Sequence, residues 1–355
     1  MRGLPNVDIA LQPLTAVIGP RGVGKSRVLA AVAWLMTGRP DLGSANALEV
    51  TAEIETAGGL RSITRRANTP PDPGLVLPRT RYLPARERLP ALAEDAPIGW
   101  SDAAQAEQMV ERIAERRLAG AEGELLVIEE PELMLTPHQQ RHLYALLRRF
   151  AERNQVIYST RAPALLDAVH YDEIVRLDRT STGMSVRRAP QELLTETQRI
   201  HLAAEFDHER NEMFFATAVV LVEGQTERQS LPIIFRRIGF DPDALGVSIV
   251  EVGGKGNLIL VSRVLTELRI PHVIVHDSDR GRPGEGMNAY IRRNAGKAPI
   301  FALNPDFEGA AGIRSHDHKV FNAYRRFSTM PDSRIPRVFR EIAETTVRLA
   351  AGESA

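Results

Sequence analysis

Gly19-Pro20-Arg21-Gly22-Val23-Gly24-Lys25-Ser26 fits the pattern GxxxxGK[ST], and its flanks decide how the first half of the chain folds. Leu14-Thr15-Ala16-Val17-Ile18 before it reads as a short buried strand, and Arg27-Val28-Leu29-Ala30-Ala31-Val32-Ala33-Trp34-Leu35 after it reads as an apolar helix. Strand, glycine-rich loop and helix are the setting that a phosphate-binding loop requires. Gly19, Gly22 and Gly24 let the backbone curl so that its N–H groups and the positive helix end point at phosphate. Lys25 is expected to reach the β/γ oxygens and the Ser26 hydroxyl to hold Mg²⁺, so ATP binding is the first expectation.

Working outward, Leu48–Glu55 alternates at period two, and Gly58-Gly59 turns it toward a hairpin partner at Leu60–Thr64. Pro70, Pro71, Pro73, Gly74 and Pro78 make 68–78 a loop. Glu124-Leu125-Leu126-Val127-Ile128-Glu129-Glu130 is an apolar strand ending in adjacent acids. It suits a second half of the nucleotide site, with Glu129 on the metal and Glu130 as the base that polarises water. Gln155-Val156-Ile157-Tyr158-Ser159-Thr160 is a further strand, whose end suits a γ-phosphate sensor.

The 355 residues suffice for about two domains. The hydrophobic and charged fractions, 43% and 25%, are ordinary for a globular protein, and 45 basic residues balance 45 acidic ones, so net charge points to no partner. With no cysteine, thiolate metal sites, disulfides and cysteine nucleophiles are excluded. The absence of a spanning apolar run or a secretory leader leads to a cytoplasmic setting with no membrane partner.

A second α/β pattern follows a charged helical stretch over 191–216. Ala218-Val219-Val220-Leu221-Val222 delivers Glu223 at a strand end, Gly224 makes a turn, and Thr226 is expected to cap a helix that Glu227 begins. Gly246–Val252 is a second strand, running into Gly253-Gly254-Lys255-Gly256-Asn257, where Lys255 reads equally as a phosphate contact or part of a plain turn. Pro271–His276 is a third, ending in Asp277-Ser278-Asp279. Spacing of two along an extended chain puts Asp277 and Asp279 on one side, beside Glu223 if the strands are parallel neighbours. Glu223, Glu227, Asp277 and Asp279 at one sheet edge repel unless divalent cations are present, and oxygen-only ligands select Mg²⁺ or Mn²⁺.

The first half resembles an ABC-type ATPase head of the SMC-like group, and Ile128-Glu129-Glu130-Pro131-Glu132 with Gln155–Thr160 is similar to the OLD (overcoming lysogenisation defect) nucleases within it. Three positions depart: Arg21 stands for the usual loop Asn, Arg161 for the switch His, and Trp100-Ser101-Asp102-Ala103 for the Leu-Ser-Gly-Gly signature. Ala103 crowds a backbone that must approach phosphate, and Arg161 keeps a charge but relays no proton. These departures weaken the case for fast hydrolysis.

The second half resembles the Toprim fold of topoisomerases, primases and OLD nucleases, through Val222-Glu223-Gly224 with Glu227 and the later Asp277-Ser278-Asp279. The resemblance covers most of 1–325. It implies an α/β chain with an ABC-type ATPase head at 1–190, a helical linker at 191–216, a Toprim domain at 217–330 and a helical tail at 331–355. It further implies Glu308 as an additional metal ligand and Lys319 as the cation facing the scissile phosphate. Glu223, Glu227, Asp277, Asp279 and Glu308 are then expected to hold two metals about 4 Å apart, with Glu223 as ligand or general acid/base.

The implied activity is an ATP-regulated DNA endonuclease, a homodimer in phage defence or DNA repair, with an operon-encoded partner an open question. An RNase that cleaves tRNA and a nucleotide-gated sensor stay open beside it. His316 and His318 read as solvated loop histidines, and Arg325, Arg326, Arg334 and Arg337 as an exposed basic end.

Overall fold

The computed structural model describes residues 7–38, 49–56, 59–66, 77–85, 100–120, 122–180, 183–314 and 317–353. The loop expected over 68–78, except its last two residues, and His316 lie outside them. The chain divides into two compact units, Met1–Leu166 with Asp172–Arg188, and Asp167–Tyr171 with Ala189–Ala355.

In the first unit the order is β1 (Leu14–Ile18), α1 (Lys25–Thr37), β2 (Glu49–Thr56), β3 (Gly59–Arg66), β4 (Arg79–Leu83), α2 (Trp100–Leu118), β5 (Glu124–Glu129), α3 (Pro137–Ala151), β6 (Gln155–Ser159), β7 (Ile174–Thr180) and β8 (Gly183–Arg187). β1 and β5 are buried along their whole length, β1 apolar but for Thr15 and β5 apolar between Glu124 and Glu129, as strands flanked on both faces must be. They belong to a six-stranded sheet of order β4-β5-β6-β1-β7-β8, parallel except for β7 with β8. The expected hairpin forms as β2 with β3, a separate two-stranded sheet. Thr136 caps α3 in a capping box with Gln139, and Gly38 ends α1 in the left-handed region. The segment Trp100–Ala103 forms the first turn of α2.

The second unit runs α4 (Glu196–Glu205), β9 (Ala218–Val222), α5 (Gln225–Arg237), α6 (Pro242–Leu245), β10 (Val247–Glu251), α7 (Lys255–Glu267), β11 (His272–Asp277), α8 (Gly286–Asn294), β12 (Ile300–Leu303), α9 (Phe307–Ala311), α10 (Lys319–Thr329) and α11 (Arg337–Ala350). Its sheet, β10-β9-β11-β12, is parallel throughout. The chain goes from β9 outward to β10 and then crosses back to β11 on the other side, so the switch point lies between β9 and β11. Glu223 and Asp277 stand at the carboxyl ends of those two strands.

Two expectations are corrected here. Thr226 caps nothing: α5 starts at Gln225 with Gly224 as its N-cap and no side-chain cap. Arg325, Arg326, Arg334 and Arg337 are exposed as expected, but the end of the chain is no detached appendage, because α11 buries Phe339, Ile342 and Ala343 against the sheet core. Phe339 meets Phe307 and Phe327 with ring centroids 5.3 and 5.2 Å away, in tilted and edge geometries. Arg337 and Arg348 lie on the opposite face of this amphipathic helix, and it is this face that suggests exposure in the sequence. Among the described residues no helix is long and apolar enough to cross a membrane.

Candidate functional site

In the first unit, the parallel register aligns Val17 with Ser159 and Ser159 with Glu129, so three strand ends reach one sheet edge. The loop after β1 needs its glycines. Gly19 has φ 137°, and a Cβ on it would lie 2.2 Å from the Leu177 carbonyl oxygen; Gly24 holds φ 120° as the N-cap of α1. Gly22 is also left-handed, at φ 73°. Lys25 is buried and its Nζ donates to the Gly19 and Pro20 carbonyls at 2.7 and 3.1 Å, while Ser26 is exposed on the first turn of α1. Burial lowers the Lys25 pKa, and nearby Arg161 lowers it further.

Glu129 is buried and accepts hydrogen bonds from the Tyr82 hydroxyl and, at 3.3 Å, from the Ala85 amide. The sequence reading missed Tyr82, which is brought in because β4 pairs with β5. Glu130 sits in left-handed backbone at φ 42°, donates its amide to the Ser159 carbonyl at 2.9 Å, and pairs with Arg161 at 3.1 Å. Glu132 accepts from the Arg161 amide at 2.7 Å, and burial raises its pKa.

In the second unit the strand order gathers Glu223, Glu227, Asp277, Asp279 and Glu308 near one edge. The Asp277 amide donates to Glu223 Oε1 at 2.7 Å. Glu227, on the first turn of α5, is 5% exposed; burial, then Asp277, Glu223 and Glu308, push its pKa up to about 8. Burial, then Glu223 and Asp279, push Asp277 up to about 7, and burial raises Glu223 as well.

Asp277 and Asp279 do not share a pleat as extended spacing suggests. Asp279 turns into the left-handed region at φ 47°, donates its amide to the Pro305 carbonyl at 2.8 Å, and pairs with Lys255 at 2.6 Å. Lys255 is therefore a buried ion-pair partner, which the flexible-looking glycines around it conceal in the sequence. Glu308 is 2% exposed and pairs at 3.3 Å with Lys319, the half-exposed first residue of α10. Asp306 caps α9 through the Gly309 amide and pairs with Arg282 at 2.9 Å. His318 is the left-handed N-cap residue of α10.

The donor set is all oxygen, and Asp277 Oδ1 is buried with no hydrogen-bond partner, features that fit a divalent cation. As the side chains stand, no three His, Cys, Asp or Glu among the described residues converge tightly enough to hold one. Two of the five acids, Asp279 and Glu308, are paired with Lys255 and Lys319.

Residues 214–279 match the family model described as Overcoming lysogenization defect protein-like, TOPRIM domain. The chain is 31% identical over 245 residues to the OLD nuclease of Thermus scotoductus, a stretch covering 62% of this chain and 46% of that protein. It is 30% identical over 162 residues to the Old nuclease of Escherichia phage P2, covering 44% and 28%. The matched stretch thus spans under half the length of either relative. The SMC head domain from Thermotoga maritima overlaps 51% of this chain and 92% of its own at 13% identity and a TM-score of 0.33, which adds nothing to the strand order described above.

Proposed function

The chain carries an OLD-like Toprim domain over residues 214–279, and from that premise we propose that it is a metal-dependent nuclease that hydrolyses DNA phosphodiesters under the control of ATP. The observation that carries this reading is the gathering of Glu223, Glu227 and Asp277 at the β9/β11 switch point, where burial raises the pKa of all three carboxyls and their mutual repulsion adds to it for Glu227 and Asp277. These three residues form the metal-holding edge, and Asp279 and Glu308, paired with Lys255 and Lys319, lie beside it. Bound there, Mg²⁺ or Mn²⁺ would supply charge stabilisation and lower the pKa of water. Glu223 is held by the Asp277 amide in position to accept a proton, and Lys319 at the rim offers positive charge to a phosphate.

In the head, Gly19, Gly22, Gly24, Lys25 and Ser26 would bind the ATP phosphates, Glu129 would hold the metal, and Glu130 would act as the base. ATP shifts the population of cutting-competent chains rather than driving the cut. The assembly is a homodimer acting in phage defence or DNA repair in the cytoplasm, and sedimentation with and without ATP tests the dimer.

The deciding experiment incubates supercoiled plasmid with the chain and Mg²⁺ or Mn²⁺, with and without ATP, beside Asp277→Ala. Nicking lost in the variant supports the reading; cutting by a clean Asp277→Ala preparation refutes it. Lys25→Ala is expected to weaken ATP binding at least tenfold, read with a fluorescent nucleotide.

A second reading, a nucleotide-gated sensor, is favoured by the 3.1 Å Glu130–Arg161 pair, which occupies the base that hydrolysis needs. It expects stoichiometric ATP binding with no cutting of DNA or tRNA.

A further inference from the structure

Lys255 follows Gly253-Gly254 and opens α7, a position from which a lysine ordinarily reaches water, yet it is 7% exposed. Three oxygens surround its Nζ: Asp279 Oδ2 at 2.6 Å, Asn288 Oδ1 at 3.0 Å and the Gly284 carbonyl at 3.3 Å. Each of the three is fixed from elsewhere. Asn288 donates Nδ2 to the Ser278 carbonyl at 2.7 Å, which orients its oxygen toward the lysine. The Arg282 amide donates to the Asp279 carbonyl at 2.8 Å, closing the turn that carries Asp279. Gly284 must be glycine for this approach, since a Cβ there would lie 2.3 Å from Asp279 Oδ2. The result is a preformed cation cradle with an ammonium inside it.

Charge is shared unevenly along the edge. Asp279, Glu308 and Asp306 each have a cationic partner, in Lys255, Lys319 and Arg282. Among the described residues Glu223, Glu227 and Asp277 have none within ion-pair distance, and the orphaned Asp277 Oδ1 belongs to this second group. One half of the edge is ion-paired within the protein, and of the other half Glu223 feels Lys255 only at longer range.

Resting on the nuclease reading above, we propose that Lys255 is a fixed internal cation standing in for one of two metal ions. The edge then takes a single divalent ion at Glu223, Glu227 and Asp277, and Asp279 is the counter-ion of Lys255 rather than a ligand. Lys255 is a positioning residue, acting through Asp279.

The test counts ions rather than cleavage. Mn²⁺ is titrated into the nucleotide-free full chain, free Mn²⁺ is read by electron paramagnetic resonance, and circular dichroism checks folding. One Mn²⁺ per chain is expected for the wild type, still one for Asp279→Asn, and two for Lys255→Met, whose Asp279 is left uncompensated. Two ions in the wild type, loss of the ion in Asp279→Asn, or one ion in folded Lys255→Met overturns the proposal and leaves the nuclease reading standing. If Lys255→Met does not fold, the wild-type and Asp279→Asn counts decide alone. No Mn²⁺ on the wild type, or binding unchanged by Asp277→Ala, overturns the nuclease reading together with it.

Discussion

The Asp277 amide donates to Glu223 Oε1 at 2.7 Å, so the carboxylate that ends β9 is fixed by the backbone that ends β11. Two acids are thereby held close in a half-buried place, an arrangement that costs stability in the absence of a cation. Asp277→Asn removes one of the two charges. In EDTA at pH 8 it is expected to raise stability by up to about 4 kcal/mol, the scale of the shift of Asp277 from 3.8 to about 7. The same variant is expected to lose the rise in Tm that Mg²⁺ gives the wild type. Thermal melts check both, and a less stable variant in EDTA would show that the Asp277 charge is not under strain.

The pH dependence follows from the same groups. Glu227 titrates near 8 in the folded chain against an ordinary 4.5, and Asp277 near 7 against 3.8. A raised carboxyl pKa means that folding takes up protons, so their contribution is fully present below about pH 4 and is lost as pH climbs through 7 and 8. Without metal, Tm is expected to fall from pH 5 to 8.5, and to fall less steeply in Glu227→Gln. A divalent cation replaces the protons, so Mg²⁺ protects most at the alkaline end, and its binding releases protons into the buffer. Melts across that range, with calorimetry in two buffers of different ionisation enthalpy, measure both effects; equal slopes in wild type and Glu227→Gln would reject the assignment.

What could be read from the sequence was what local backbone chemistry dictates. The run Gly19–Ser26 declares its loop because the positive φ angles of Gly19, Gly22 and Gly24 exclude side chains. Ala218–Val222 declares a central strand because every residue is apolar, and a parallel partner then puts Glu223 beside Asp277. The pairings that tune these acids were not legible. Lys255 meets Asp279 only because the chain turns left-handed after β11 and Gly284 leaves room, and no spacing rule announces either. Tyr82 meets Glu129 only because β4 lies beside β5 in a sheet whose order is not the chain order.

That Tyr82 contact sets a test in the head. Glu129 is buried, and the Tyr82 hydroxyl is a donor that desolvation makes hard to replace. Tyr82→Phe is expected to destabilise the first unit by about 1–3 kcal/mol, the range for leaving a buried acceptor without its donor. It is also expected to change Mg²⁺-dependent ATP affinity, because Glu129 regains freedom to turn. Denaturant melts and nucleotide titration read the two effects, and an unchanged midpoint would mean that the hydroxyl carries no weight.

The last test concerns Phe339, on the helix whose basic face suggests an exposed tail. Phe339 is 0% exposed and packs on Phe307 and Phe327. Phe307 is the first residue of α9, next to Glu308, so the ring cluster also supports the helix that carries an acid of the candidate metal edge. Phe339→Ala leaves a cavity among three aromatic rings and is expected to cost about 3–5 kcal/mol. If α11 were a detached end, the same truncation would fall within about 0.5 kcal/mol of wild type, as surface changes do. Urea unfolding separates the two cases. Mn²⁺ affinity measured in the folded baseline then shows whether loosening α9 reaches the site through Glu308, whose charge acts on Glu227: an altered affinity in a chain that remains folded is the expected result.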